Sequence, residues 1–384
     1  MKNRISQIIR TVLTNADVVL ITLFSFILIR YIIFTGDYDW HTMNILNYGC
    51  FMSYDFYQPH FLLFKFVSLI TFETCDYWTI MLTLEIVVCF FIGLKYAIIK
   101  RLISKEIQTH SLIIFFTLFL SIFITIPNYL FIKKHWLYLY VINGNCWHNS
   151  TFLVTLPFSI LLFYKCFDLI NLPSLKNILL VSLLIFVNVF TKPNYFLAFL
   201  TVFPLFAFYY NRFSKKFFLS LLPVMLGIAF LAFQFLYARA FIYNEGAKGI
   251  SIDFFALFAP HYGSIWIFLF SLIFTFAFPI LFFVLHKNLF FDKEVIFCLL
   301  TTIVSLVLVL LFVENNDRLS AGNFLWGLMT SINILFTVTT ILLIRKYKAE
   351  KFDYKLYVPF AVLCLHYLSG GAYILKIFVK GWYM

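Results

Sequence analysis

The chain has 384 residues, 63% of them hydrophobic and 12% charged, with a mean hydropathy of +0.94 and a net charge of +12. Soluble domains run at roughly 45–50% apolar and 25% charged, so this composition excludes a soluble globular protein. The basic excess is spread over short loops without an interleaved basic and aromatic surface, which excludes a nucleic-acid binder.

Apolar stretches long enough to cross a hydrocarbon core of about 30 Å recur along the whole chain. They lack the period-two alternation of barrel strands, and lipid accepts only helices or closed barrels. The expected fold is all-α: one polytopic transmembrane helical bundle over 1–384, with spans near 18–35, 77–95, 110–127, 150–166, 177–191, 195–211, 216–237, 264–285, 294–313, 323–344 and 356–376. That makes about eleven spans.

The first run follows Lys2, Arg4 and Arg10 and ends in Phe34-Thr35-Gly36-Asp37 without a small-x-small cleavage pattern, so an uncleaved first span is expected. With the N-terminus inside, alternate connections collect 19 of the 29 Lys and Arg residues, among them the group Lys95, Lys100, Arg101 and Lys105. The positive-inside rule makes that side cytoplasmic.

The segment 60–72, HFLLFKFVSLITF, is too short to span. Lys65, Ser68 and Thr71 give it a polar stripe at spacing three, so it is expected to lie as an amphipathic helix in the outer interface. Counting it as a span would reverse the charge bias. The seven cysteines include no C-x-x-C pair, so zinc and redox motifs are unsupported.

The outer side then holds loops 36–76, 128–149, 192–194, 238–263 and 314–322, with nine of the seventeen acids and five of the eight histidines. That asymmetry puts the expected active face outside. In loop 36–76, Asp37 and Asp39 are candidates for a general base toward an acceptor hydroxyl or for ligands of a divalent cation. Trp40 and His41 follow directly and can stack on and orient a sugar ring. An acidic loop also results simply from facing outward.

Further along, Lys133, Lys134, His135, Trp136, His148 and Asn149 combine aromatic platforms with imidazole and amide donors. They suit sugars and phosphate, or equally an interfacial aromatic belt with snorkelling lysines. Lys192 precedes Pro193 with almost no hydrophilic loop around it. A lysine near lipid costs about 2.5–3.5 kcal/mol at a helix centre and calls for an anionic partner, a carboxylate or a ligand phosphate. Arg318 can grip phosphate or pair with Glu314 or Asp317, and Arg239 and His261 have the same ambiguity. Glu85 and Lys376 are intramembrane charges expected to be paired or to face a cavity.

The ordered pattern of GDYD (36–39), QPHFLLF (58–64) and the run from DYW (76–78) to KYAIIKRL (95–102) resembles the GT-C superfamily of membrane glycosyltransferases. Its members include the protein O-mannosyltransferases and the lipid A aminoarabinose transferase. The match covers about a quarter of the chain, the rest agreeing only in span count. QPH stands where many members have HPP, which bears on His60, and the soluble C-terminal domain of some members is lacking.

The resemblance implies transfer of a sugar from a polyprenyl-phosphate donor to a glycan or lipid-linked acceptor, usually with inversion. The reaction would occur on the periplasmic or extracellular face of a bacterial inner membrane. A first-loop acid would be the base, so loop 36–76 is the expected catalytic loop. Lys192, Arg239 and Arg318 are the expected phosphate ligands. Trp40, His41, His60, His148, Asn149, Glu314 and Asp317 are expected to bind substrate, with a divalent metal optional. A lipid-linked oligosaccharide flippase or other transporter, or an O-antigen-type polymerase, is the alternative.

Overall fold

The computed structural model describes residues 15–34, 61–72, 74, 76–124, 147, 149–241, 249–314, 323–349 and 353–380. In chain order the helices are α1 (Ala16–Phe34), α2 (Phe61–Ile70), α3 (Tyr77–Ser104), α4 (His110–Leu118, continued by a π turn Phe119–Phe123), α5 (Ser150–Asn171), α6 (Leu175–Thr191) and α7 (Asn194–Asn211). There follow α8 (Lys215–Phe241), the short α9 (Ala259–Tyr262), α10 (Ile265–Thr275), α11 (Ala277–Leu285), α12 (Lys293–Leu311), α13 (Leu325–Ala349) and α14 (Tyr354–Lys380).

Each expected span contains helix in its described part, although 312–313 of the expected 294–313 span belong to a strand and 323–324 of the 323–344 span to a turn. Among the described residues, seven helices are long and apolar enough to cross a membrane: α1, α3, α5, α8, α12, α13 and α14. The bent pair α10–α11 would make an eighth. The chain is thus an integral membrane protein built as a helical bundle. The segment expected as one span at 264–285 is broken by 64°. Pro279 explains the break, because its ring collides with the carbonyl four residues back, at Thr275, where α10 ends.

Helices α1 and α3 run antiparallel and are fixed at both ends. Lys100 Nζ bonds Asp17 at 2.7 Å and Tyr96 Oη bonds the same carboxylate at 2.8 Å. Twenty ångströms away by helix rise (about 1.5 Å per residue), Arg30 pairs with Glu85. Antiparallel spans have an even number of crossings between them; α2, as a single crossing between α1 and α3, would make them parallel, and its 10 residues are too short for a full span.

Two of the three stripe residues of α2 turn inward, and Lys65 is half-buried. Ser68 (2% exposed) and Thr71 are buried with Leu63, Phe64 and Val67, while Phe66, Leu69, Ile70 and Phe72 are exposed. Thr71 Oγ1 is satisfied within the helix end by the Val67 and Ser68 carbonyls, which lets it be buried.

Lys95, expected in a cytoplasmic loop, instead lies inside α3, which continues well past the expected end at residue 95. It is 2% exposed, and its ammonium donates to the Ser121 carbonyl at 3.2 Å, where the π turn leaves carbonyls without helical partners. The charge bias between the two ends survives without it. Arg345 bonds Glu106 at 2.8 Å, Asn211 bonds the Ile170 carbonyl, and His286 approaches the Lys355 carbonyl. These contacts gather the basic helix ends at one end of the bundle.

At the centre stands α13, buried from Leu325 to Ile344. Its Thr330, Thr337 and Thr339 hydroxyls return to carbonyls four residues back, so burying them leaves no unmet donor. Ser331 reaches across to Ser305 of α12 at 2.9 Å. Phenylalanine fills the remaining space without hydrogen-bonding demands: Phe297 meets the rings of Phe163, Phe167, Phe199 and Phe206 at 5.2–5.8 Å.

Candidate functional site: a buried lysine among helix N-termini

At the end opposite the basic one, the turn between α6 and α7 consists of Lys192 and Pro193. Lys192 caps the C-terminus of α6 with an extended backbone, and Pro193 precedes the first residue of α7. Proline suits a helix start because the missing N–H is one that would find no helical partner. The turn is therefore tight, and it holds Lys192 inside the protein at 6% exposure. The side chain does not snorkel to solvent. Its ammonium lies 5.0 Å from the centre of the Trp326 ring, an attraction that desolvation strengthens to about 2 kcal/mol or more.

Trp326 joins three helix starts. It lies in the first turn of α13 and packs on Phe152 of α5 with ring centres 5.3 Å apart. Asn194 at the start of α7 donates from Nδ2 to the Asn323 carbonyl at 2.7 Å. Gly327 permits this approach, since a Cβ there would stand 2.8 Å from the Asn194 carbonyl oxygen. The N-termini of α5, α7 and α13 thus meet around one lysine. Helix N-termini carry partial positive charge and unpaired N–H groups, so with an ammonium among them the arrangement suits an anion.

Asn149, expected to bind substrate, is the N-cap of α5. Its Oδ1 accepts from Phe152 N and Thr151 Oγ1, both at 2.8 Å. That oxygen holds the helix start that carries Phe152 to Trp326. Glu85 has the partner the sequence left unnamed, Arg30, and Lys376 lies half-buried on α14.

Asp37, Asp39, Trp40, His41, His60, Lys133, Lys134, His135, Trp136, His148, Asp317 and Arg318 lie outside the described residues. Arg239 and Glu314 lie on described backbone, in the last turn of α8 and in a strand Phe312–Glu314, but their side chains, like that of His261, are outside the description. The strand pairs antiparallel with Ile250–Ile252 and ties the 238–263 connection to the end of α12, a contact the hydropathy pattern gives no sign of. Among the described residues no group of three or more His, Cys, Asp or Glu could hold a metal ion.

Sequence reasoning missed Trp326, Asn194 and the Asn323 carbonyl. The available signal was a Trp-Gly pair directly inside a predicted helix start, overlooked beside the charges of 314–318. No protein-family model matches the chain, and no curated protein matches it at a significant level.

Proposed function

We propose that this protein is a membrane glycosyltransferase that moves a sugar from a polyprenyl-phosphate carrier to a glycan or lipid-linked acceptor on the non-cytoplasmic face of a bacterial plasma membrane. The observation that carries this reading is the burial of Lys192 among the N-termini of α5, α7 and α13. A lipid-borne phosphate has its tail in the bilayer and its head at the interface, where a lysine in a turn between two apolar helices would meet it. A phosphate leaving group gains charge as the glycosidic bond breaks, and a fixed cation away from water stabilises that charge strongly.

The same end of the bundle carries the C-terminus of α1, from which the expected catalytic loop 36–76 departs. Asp37 or Asp39 would deprotonate the acceptor hydroxyl, and Arg239 and Arg318 would join Lys192 on the phosphate. The pairing of Glu85 with Arg30 favours this reading over a transporter, because a charge expected on a central pathway is occupied in holding α1 to α3.

One observation favours transport instead. The π turn of α4 ends within the bundle with its Ser121 carbonyl on buried Lys95, and broken helices with such ends mark ion and substrate sites in transporters. The two readings separate in proteoliposomes loaded with a labelled lipid-linked sugar and an acceptor glycan. A transferase releases polyprenyl phosphate, whereas a flippase moves the donor across the bilayer unconsumed.

A further inference from the structure

We infer that Asn194 reads a hydroxyl on the same ligand whose anionic group Lys192 holds, so that the cradle between α6, α7 and α13 takes a phosphate ester bearing a glycosyl group and discriminates it from a bare lipid phosphate. The inference rests on the lipid-phosphate reading above and adds a residue that selects the ligand.

The orientation of the Asn194 amide follows from its partner. The Asn323 carbonyl can only accept, so the group 2.7 Å from it is the NH₂, and Oδ1 points the other way. Asn194 is 8% exposed, and among the described residues no donor reaches Oδ1. Buried amide oxygens are bonded as a rule, so one without a donor among the described residues is a candidate for a donor that a ligand brings.

The demands of the two side chains differ. The Lys192 ammonium offers only donors and attracts an anion, whereas the Asn194 oxygen accepts and repels an ionised phosphate. A single ligand satisfies both only if it carries an anionic group and a hydroxyl close together. Lys192 and Asn194 are two residues apart, about 7 Å of chain at most, which lies within one phospho-sugar unit. The cradle is also rigid: Trp326 fixes the ammonium, and the close approach at Gly327 fixes the α7 start against α13.

The test measures binding to the full-length protein in nanodiscs. The probes are farnesyl phosphate and a panel of farnesyl phosphates each esterified with one hexose or pentose. Wild-type protein should prefer at least one glycosylated probe. Asn194→Ala should lower affinity for that probe about five- to tenfold, the size of one hydrogen bond, and leave farnesyl phosphate unchanged. Lys192→Met should weaken both.

Equal losses on both probes in Asn194→Ala, or no loss on either, would overturn the inference. So would a wild-type protein that binds farnesyl phosphate with no glycosylated preference, although the lipid-phosphate reading would then stand. Failure of wild-type protein to bind any of these phosphates would sink that reading and the inference with it. Deoxy-sugar versions of the preferred probe keep the question answerable should the alanine variant misfold. On wild-type protein one deoxy position should cost the same five- to tenfold, and a flat response at every position would refute the role of Asn194.

Discussion

Arg30 holds Glu85 through a single nitrogen: Nη1 donates to Oε1 at 2.9 Å and to Oε2 at 3.0 Å. The carboxylate is fully buried and the guanidinium less than a third exposed, so the pair lies where neither charge is readily exchanged for water. Removing one partner from a buried pair leaves an uncompensated charge and costs about 3–5 kcal/mol, whereas replacing both with apolar groups is often neutral. Arg30→Met should therefore lower the thermal stability of purified protein far more than Arg30→Met with Glu85→Leu. Equal losses in the single and double variants would show that the two residues do not depend on each other.

Asp76 offers a pH-dependent handle outside the spans. It caps α3, accepting from Thr79 Oγ1 at 2.5 Å and from Thr79 N at 2.8 Å. The Thr79 hydroxyl first, then the Thr79 N–H, hold its pKa below the ordinary carboxylate value. A depressed folded pKa means that the cap contributes fully above the unfolded carboxylate pKa and is lost as pH falls through the folded one. Hydrogen exchange at Thr79 N–H should show protection at neutral pH that declines in that acid window. In Asp76→Ala the protection should be low throughout and independent of acidification.

The Lys192–Trp326 contact predicts a split between binding and folding. Lys192→Met should raise the KM for lipid-linked donor at least tenfold, since hydrogen bonds to charged groups contribute about 1.5–3 kcal/mol. The insertion of the protein should be unchanged. Trp326→Leu should act in the same direction through loss of the ammonium's platform. Normal donor affinity in Lys192→Met would leave the lysine a purely structural role at the C-terminus of α6.

Much of this architecture was legible in the hydropathy pattern, because a helix in lipid must be apolar over a fixed length. Each expected span contains helix where described, though seven, or eight with the bent pair, rather than eleven are long and apolar enough to cross a membrane among the described residues. Lys192 stood out because lysine beside proline in an apolar run has few tolerable places. Tertiary direction was not legible. Lys95 looked like a loop charge because residues 77–95 already suffice to span, yet α3 runs on to Ser104 and folds that charge inward onto Ser121. The spacing of Ser68 and Thr71 marked a stripe on α2 but not its direction, and both turn out to be buried. Pairing across 129 residues, as between Asn194 and Asn323, leaves no periodic trace at all.

The two ends of the bundle give a direct topology test. With native cysteines replaced, Asp253→Cys should react with an impermeant thiol reagent in intact cells, since Asp253 is exposed next to the two-stranded sheet. Lys348→Cys, exposed at the basic end, should react only after permeabilisation. The reverse pattern would place Lys192 and loop 36–76 on the cytoplasmic side and contradict the proposed active face.

The central claim is chemical, and the most direct measurement is polyprenyl phosphate released per molecule of labelled lipid-linked sugar consumed, in proteoliposomes holding only this protein and an acceptor glycan. The account predicts release matched one-for-one by sugar appearing on the acceptor. Asp37→Asn should slow it by about 10²–10⁴-fold, the usual contribution of a general base, with donor affinity little changed. Asp39→Asn should act mainly on acceptor or metal binding. Donor that crosses the bilayer intact, with no phosphate released by the wild-type protein, would contradict the account.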